Sequence, residues 1–372
     1  MAVYKIFPEK DATIYSSSPT MNAGLDAIME VKNMSPLGDP QVARSLIKFS
    51  QEEINDILDN KVSGSSFSVS LKSYTSQAEG IIDKSVLEIF PIYGEWLNGY
   101  GMTGDSPINE YGVSWLYKDH NDGEPWITSS FPQYITGSGG NWFTDSDHNL
   151  NISPTQSFNI RTSTDLDVDV TDIIKVWYSS SKDVNSGSLN IPNEGFLLKW
   201  EDSIEFNSTS SIQPILNLYS IDTNTIYPPS LDIKWDDSVY STGSLSVIST
   251  EEAYINLGSN SHKFHPDAIN KFRVNSRPLY PPRTYQTSSI YTRNYCLPSS
   301  SYYAVKDLDT NEYIINFDEE FTKISCDRSG SFFNLYMNGF EPDRNYSILI
   351  KTIINGVTLV KDNNYYFKVI QE

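Results

Sequence analysis

Apolar and polar residues alternate along most of this chain in short runs, too brief and too rich in β-branched residues to be helices. Residues 28–31, 44–49, 67–74, 86–92, 157–161, 166–170, 195–200 and 215–219 follow this pattern and are predicted to be strands. Leu231, Ile233 and Trp235 then alternate with Asp232 and Lys234, as a half-buried closing strand would. Two stretches switch to helical spacing. In residues 50–58 (SQEEINDIL), Ser50 is placed to cap, Glu52 and Glu53 occupy the first turn, and Ile54, Ile57 and Leu58 form the face to bury. Residues 170–178 (VTDIIKVWY) offer Thr171 or Asp172 as a cap and Ile173, Ile174 and Trp177 as the buried face. Both helices are short enough to plug the ends of a sandwich.

After Trp235 the text turns polar and turn-rich (residues 236–245, DDSVYSTGSL), which places a domain boundary there. Three regions follow from this: 1–238, 239–298 and 299–372. The middle one reads as an extended basic segment rich in Pro, Arg and Tyr, with Pro278, Pro281 and Pro282 keeping it out of a helix or a central strand. The last alternates in short strands at 302–305, 313–317, 332–337, 347–354 and 365–369. Turns at 309–311, 338–339, 355–356 and 362–364 separate them, and Asn355-Gly356 between apolar neighbours is a strong hairpin signal. Five strands in so short a span suggest a small immunoglobulin-like sandwich.

Composition agrees with strands: 24 Tyr, 17 Phe and 7 Trp among 372 residues, with Ala scarce. That length favours two domains over one core. The net charge of −20 is uneven, since 14 acidic and 13 basic residues lie from position 238 onward, leaving nearly all the excess acid upstream. An acidic surface repels phosphate backbones, so nucleic acid is not an expected partner. No long apolar run occurs and residues 1–8 carry no signal-peptide pattern, so neither a membrane span nor export is expected. Cys296 and Cys326 are too few for a disulfide framework and are expected to be reduced core residues.

Candidate chemistry is sparse. Trp96, Trp115, Trp126 and Trp142 share one Gly-rich passage, where they either stack on sugar rings or staple long loops onto the sandwich; the usual burial of large aromatics favours the staple. Asp165, Asp167 and Asp169 share one strand face, a geometry for a hard cation but more often a solvated face. Asp145, Asp147 and Asn149 begin like a calcium loop, but Leu150 stands where Gly is needed and Gln156 where the bidentate Glu belongs. His120, His148, His262 and His265 are scattered, with no catalytic motif around them, so no enzyme, metal or cofactor is expected. The one basic tract interleaves Arg273, Arg277, Arg283 and Arg293 with Tyr280, Tyr285, Tyr291 and Tyr295. These are residue types enriched in protein interfaces, with Arg273, Arg277, Tyr280, Arg283 and Tyr285 the candidates to dock a partner; the alternative is a linker packed on its own domain.

Upstream landmarks come in a telling order. Asp11-Ala-Thr-Ile-Tyr15, Asn22-Ala-Gly24 and Arg44-Ser-Leu-Ile-Lys-Phe49 lead to Glu95-Trp96, Gly112-Val-Ser-Trp115, Trp126 and Gly139-Gly-Asn-Trp142. Val168-Asp-Val-Thr-Asp-Ile-Ile-Lys-Val-Trp177, Gly195-Phe-Leu-Leu-Lys199 and Pro229-Ser-Leu-Asp-Ile-Lys-Trp235 close the series. Residues 8–236 thus resemble DNRLRE domains, which are related to carbohydrate-binding modules, apart from insertions at 100–110 and 117–131. Downstream, Phe272-Arg-Val-Asn-Ser-Arg-Pro278, Tyr285-Gln-Thr-Ser-Ser-Ile-Tyr291, Leu297-Pro-Ser-Ser-Ser-Tyr-Tyr-Ala304 and Gly339-Phe-Glu-Pro-Asp-Arg-Asn-Tyr346 resemble the C-terminal region of tailed-phage virion structural proteins.

The expected architecture is therefore all-β: a large jelly-roll-like β-sandwich followed by a small immunoglobulin-like β-sandwich. The second resemblance implies a non-enzymatic component of a tailed-phage virion (neck, tail, baseplate or fibre), assembled in the host cytoplasm. Its partners would be other virion proteins in symmetric copies, docked through the C-terminal region. The alternative is a protein whose Trp-bearing loops grip a cell-surface polysaccharide.

Overall fold

The computed structural model describes residues 2–33, 41–63, 66–81, 85–128, 134–144, 150–158, 164–182, 190–207, 213–258, 260–280 and 295–370. Strands dominate and the protein is all-β, with three short helices among the described residues. The chain forms two compact units, one of Ile6–Lys61 and Ser68–Asp232, the other of Met1–Lys5, Val62–Phe67 and Ile233–Glu372.

In the larger unit, one sheet runs in the order Thr155–Phe158, Ser85–Pro91, Phe196–Trp200, Ala43–Phe49, Ile28–Lys32, Ile215–Tyr219, Thr75–Glu79, with Pro8–Tyr15 paired along Ala43–Phe49. Its pairings are antiparallel, and Leu46, Phe49, Leu87, Ile89, Phe196, Leu198, Trp200, Leu216 and Leu218 are fully buried. Leu166–Asp169 pairs with Phe67–Ser73 in a second sheet.

The helix Gln51–Asn60 follows the expected logic: the Ser50 hydroxyl accepts from the Glu53 amide, and Ile54 and Ile57 are buried. Helix Thr171–Ser181 buries Ile173, Ile174 and Trp177, but its cap differs from the expected Thr171 or Asp172. The Asp169 carboxylate accepts from the Thr171 amide at 2.9 Å and also binds its hydroxyl. A second difference is Asp232, which alternation placed outward. It is buried and paired with Lys72 at 3.1 Å, because the long Lys72 side chain brings the counter-charge to it. The attraction of Asp232 holds the Lys72 ammonium above its ordinary range.

The smaller unit is a two-sheet sandwich. One sheet runs Ser246–Val247, Tyr295–Cys296, Ile269–Pro278, Gly330–Tyr336, Ser325–Asp327, with Ala253–Leu257 along Ile269–Pro278. The other runs Lys263–Phe264, Val357–Val369, Tyr346–Ile354, Ser301–Asp307, Tyr313–Ile315. Between them, Phe333 is stacked by Phe272 (5.4 Å) and Tyr303 (4.2 Å), and Phe340, Tyr346 and Phe367 extend the core.

Strand Ile269–Pro278 corrects the expected extended segment at 239–298. Phe272, Val274 and Ser276 point into the core while Lys271, Asn275 and Arg277 are exposed. This is a period-two pattern that the Arg and Pro content obscured, and Pro278 is tolerated because it is the last residue of the strand. The hairpin at Asn355-Gly356 forms with positive φ at both positions (52° and 81°), as a tight turn of the favoured hand requires. The turn expected at 362–364 is instead a bulge. The strand continues through it, with a register shift opposite Ser347/Leu349 and Asn364 at φ 51°.

Candidate functional site

The four tryptophans sort by what surrounds them. Trp96, Trp126 and Trp142 are buried and share a cluster with Ala12, Ile14, Leu46, Phe90, Val113 and Leu197, against which half-buried Trp115 packs. The Trp96 indole N–H donates to the Glu194 carbonyl and that of Trp126 to the Ser114 carbonyl, each at 2.9 Å. The Lys10 ammonium lies 4.3 Å from the Trp96 ring centroid. Rings held this way fasten the long loops to the sheet, and they present no open face to a pyranose. The sugar-stacking role for Trp96, Trp126 and Trp142 is thereby corrected. Trp115 is spoken for as well, because the Arg44 guanidinium lies 5.0 Å from its ring.

Arg44 is the centre of an ionic network whose core, the Arg44–Glu205 pair, is buried. Only 4% exposed, it donates from Nε and Nη2 to the two Glu205 carboxylate oxygens at 2.7 and 2.8 Å, and from Nη1 to the Gly139 carbonyl at 2.7 Å. The buried Lys199 ammonium lies 2.7 Å from Asp202, 3.1 Å from Glu88 and 3.7 Å from Glu205. A forked guanidinium on a carboxylate satisfies both partners in the direction each prefers, which makes so buried a charge tolerable. Gly139 sits at φ 91°, and a Cβ there would lie 2.7 Å from both Arg44 Nη1 and the Trp115 ring. Its glycine is what lets loop, guanidinium and indole meet. Two cations hold three carboxylates between them, so the network acts as a lock. Arg44 and Lys199 were visible only as landmarks and Glu205 went unnoticed, although a lysine inside the apolar run Phe196–Trp200 is itself a sign of a buried ion pair.

The basic tract divides too. Arg273 donates bidentately to Asp327 at 2.6 and 2.7 Å, Lys271 adds a contact at 3.2 Å, and both cations lie over the Phe332 ring. The Arg273 hydrogen bonds hold the Asp327 carboxyl well below the usual range. Arg273 is thus occupied within its own unit and is withdrawn from the docking set. Arg277 is exposed beside the Tyr254 ring (5.1 Å), with Leu279 exposed and Tyr280 76% exposed nearby. Arg283 and Tyr285 lie outside the described residues, as do Asp145, Asp147, His148 and Asn149.

The carboxylates of the 165–169 strand have local work. Asp165 accepts from the Thr75 amide, Asp169 accepts from the Thr171 amide at the start of a helix, and Asp167 lies 4.0 Å from Lys72. Among the described residues no three metal-ligating side chains gather, and no helix is long and apolar enough to cross a membrane. Cys296 and Cys326 are buried and not disulfide-bonded, and burial pushes the Cys326 thiol up to about 12.

Three residues that sequence reasoning passes over lie, with His120, in or beside the two insertions. Tyr100, which is exposed, stacks on half-buried Tyr111 (4.5 Å, 24°), and half-buried Tyr117 stacks on His120 (4.4 Å, 14°). Their signal was the insertions themselves, which depart from the family pattern and carry ring-bearing residues among glycines and acids.

No protein-family profile matches the chain, and no curated protein matches it in sequence. Among solved structures, a DUF4785 family protein from Legionella pneumophila is aligned over 100% of this chain and 62% of its own length, at 8% identity and a TM-score of 0.18. The chain therefore spans less than two-thirds of that protein.

Proposed function

We propose that this protein is a non-enzymatic structural component of a tailed-phage particle, docking onto its neighbours through the smaller unit. The observation that carries the reading is the exposed cluster of Tyr254, Arg277, Leu279 and Tyr280 at the edge strand Ala253–Leu257 and the end of Ile269–Pro278. A guanidinium beside an aromatic ring, flanked by an exposed Leu and Tyr, is the composition of an interface centre. The likeness of residues 272–278, 297–304 and 339–346 to virion proteins supports the same reading. The acidic larger unit, its loops locked by Arg44 and the tryptophans, would be displayed as a rigid body, in copies set by particle symmetry.

The test is particle incorporation. Replacing Arg277 and Tyr280 together with Ser is expected to leave the thermal melt of the purified protein unchanged and to reduce its amount in purified particles at least about tenfold, as loss of central interface residues does. Normal incorporation of this variant would remove the proposal.

A further inference from the structure

We infer that Cys296 and Cys326 form a redox-active dithiol, which a small-molecule disulfide oxidises to an intrachain disulfide once the segment 239–247 that covers it opens. Both side chains are fully buried. They sit on strands that are not neighbours in their sheet, and three contacts bring them together. Cys326 lies opposite Ser331 in a hairpin, and the Ser331 hydroxyl accepts from the amide of Leu297, the residue after Cys296, at 2.9 Å. Tyr240 pairs along the other side of Cys326, and its hydroxyl donates to the Leu297 carbonyl at 2.7 Å. The Cys326 thiol is itself within hydrogen-bonding reach of Cys296.

The pair is shut in by a cover tied down at its two ends. The Cys326 amide donates to the Val239 carbonyl at 2.8 Å, and the Ser241 amide donates to the Cys326 carbonyl at 2.9 Å. At the far end the Ile248 amide donates to the Cys296 carbonyl at 3.0 Å, and the Cys296 thiol reaches the Ser246 carbonyl at 3.8 Å. Between these ties Gly243 and Ser244 are exposed, as are Val239, Tyr240 and Val247. A segment with solvent along one face opens at a fraction of the cost of global unfolding, and its opening uncovers both sulfurs.

Chemistry narrows what the pair can do. Burial disfavours a standing thiolate on Cys326, and among the described residues no three metal-ligating side chains gather. Two adjoining thiols can still exchange with a disulfide. One of them, as thiolate, attacks a sulfur of the reagent, breaks its S–S bond and expels one reagent thiolate; the second attacks the mixed disulfide and expels the other. One S–S bond is broken and one is made. Two electrons pass from the protein sulfurs to the reagent, and the two thiol protons end on the released reagent thiols. The product closes residues 296–326 into a loop and joins two strands that share no ladder. Neither cysteine belongs to the docking cluster, so failure here leaves the incorporation test unaffected.

The test is incubation of the native full chain with excess oxidised glutathione, followed by alkylation and intact-mass measurement. Loss of two hydrogens is expected, with both cysteines protected from alkylation and recovered in one pair of linked peptides, and dithiothreitol should reverse it. Cys296→Ser should stop at a glutathione adduct on Cys326. Tyr240→Phe, which removes only the hydroxyl hydrogen bond of the cover, should speed oxidation of the wild-type pair about fivefold, the weight of one hydrogen bond on local opening. Two free thiols at equilibrium in wild type, a lasting glutathione adduct on it, or a disulfide between two chains would overturn the inference. Equal oxidation rates for wild type and Tyr240→Phe would overturn the role of the segment as a gate.

Discussion

Arg44 in the larger unit and Arg273 in the smaller one make the same forked contact with a carboxylate, at 2.7 and 2.8 Å to Glu205 and at 2.6 and 2.7 Å to Asp327. Their surroundings are opposite. The first pair is 4% and 0% exposed, while the second is 35% and 34% exposed. Water screens the exposed pair and re-solvates either partner when the other is lost, so its geometry says little about stability. In the sealed pair, loss of one partner leaves a charge with nowhere to go. The same sequence feature, an arginine on a strand, thus serves as a lock in one unit and as surface trim in the other.

The largest expected effect is that of Glu205→Gln, which leaves Arg44 uncompensated and should cost about 3–5 kcal/mol in urea unfolding of the larger unit. A loss within error of zero would mean that Lys199, Glu88 and Asp202 rearrange to neutralise the site.

Next comes a buried acid without such a partner. Asp11 accepts the Ile221 amide at 2.7 Å, and burial raises its pKa from 3.8 to about 7, with Asp222 adding repulsion. Between these values the folded state keeps the proton and the unfolded state has lost it, so the contribution of Asp11 to stability is most favourable below about pH 4, falls as pH rises, and levels off above about 7. Asp11→Asn should remove this slope and stabilise the protein by about 2–4 kcal/mol at pH 8 relative to its effect at pH 4. Equal effects at the two pH values would show that Asp11 titrates normally.

Smallest is Asp327→Asn, expected to cost about 1 kcal/mol or less, and less still at high salt. If it matched Glu205→Gln, exposure would not be what separates the two forks.

The local rules were legible. The Ser50 cap with Ile54 and Ile57 below it, the apolar strands 44–49 and 195–200, and the Asn355-Gly356 turn each depend on residues within a few positions of one another. The misreadings share a different origin. Strand 269–278 is hard to see in the sequence because its outward positions carry the conspicuous Arg and Lys, which mask its period of two. Alternation predicts Asp232 in solvent because it reports which face a side chain takes, and not whether a lysine from another strand covers that face.

The candidate sites show the same division more sharply. By itself the sequence determined that the chain is all-β, that its acid is concentrated upstream, and where aromatic rings are dense, since these follow from local periodicity and from counts. Which rings face water was decided only by tertiary structure: Trp126 is 1% and Tyr100 57% exposed within the same loop region. So was the meeting of Arg44 with Glu205, 161 positions away. Burial and long-range charge pairing are set by how distant segments close over one another, and no window of neighbouring residues carries that information.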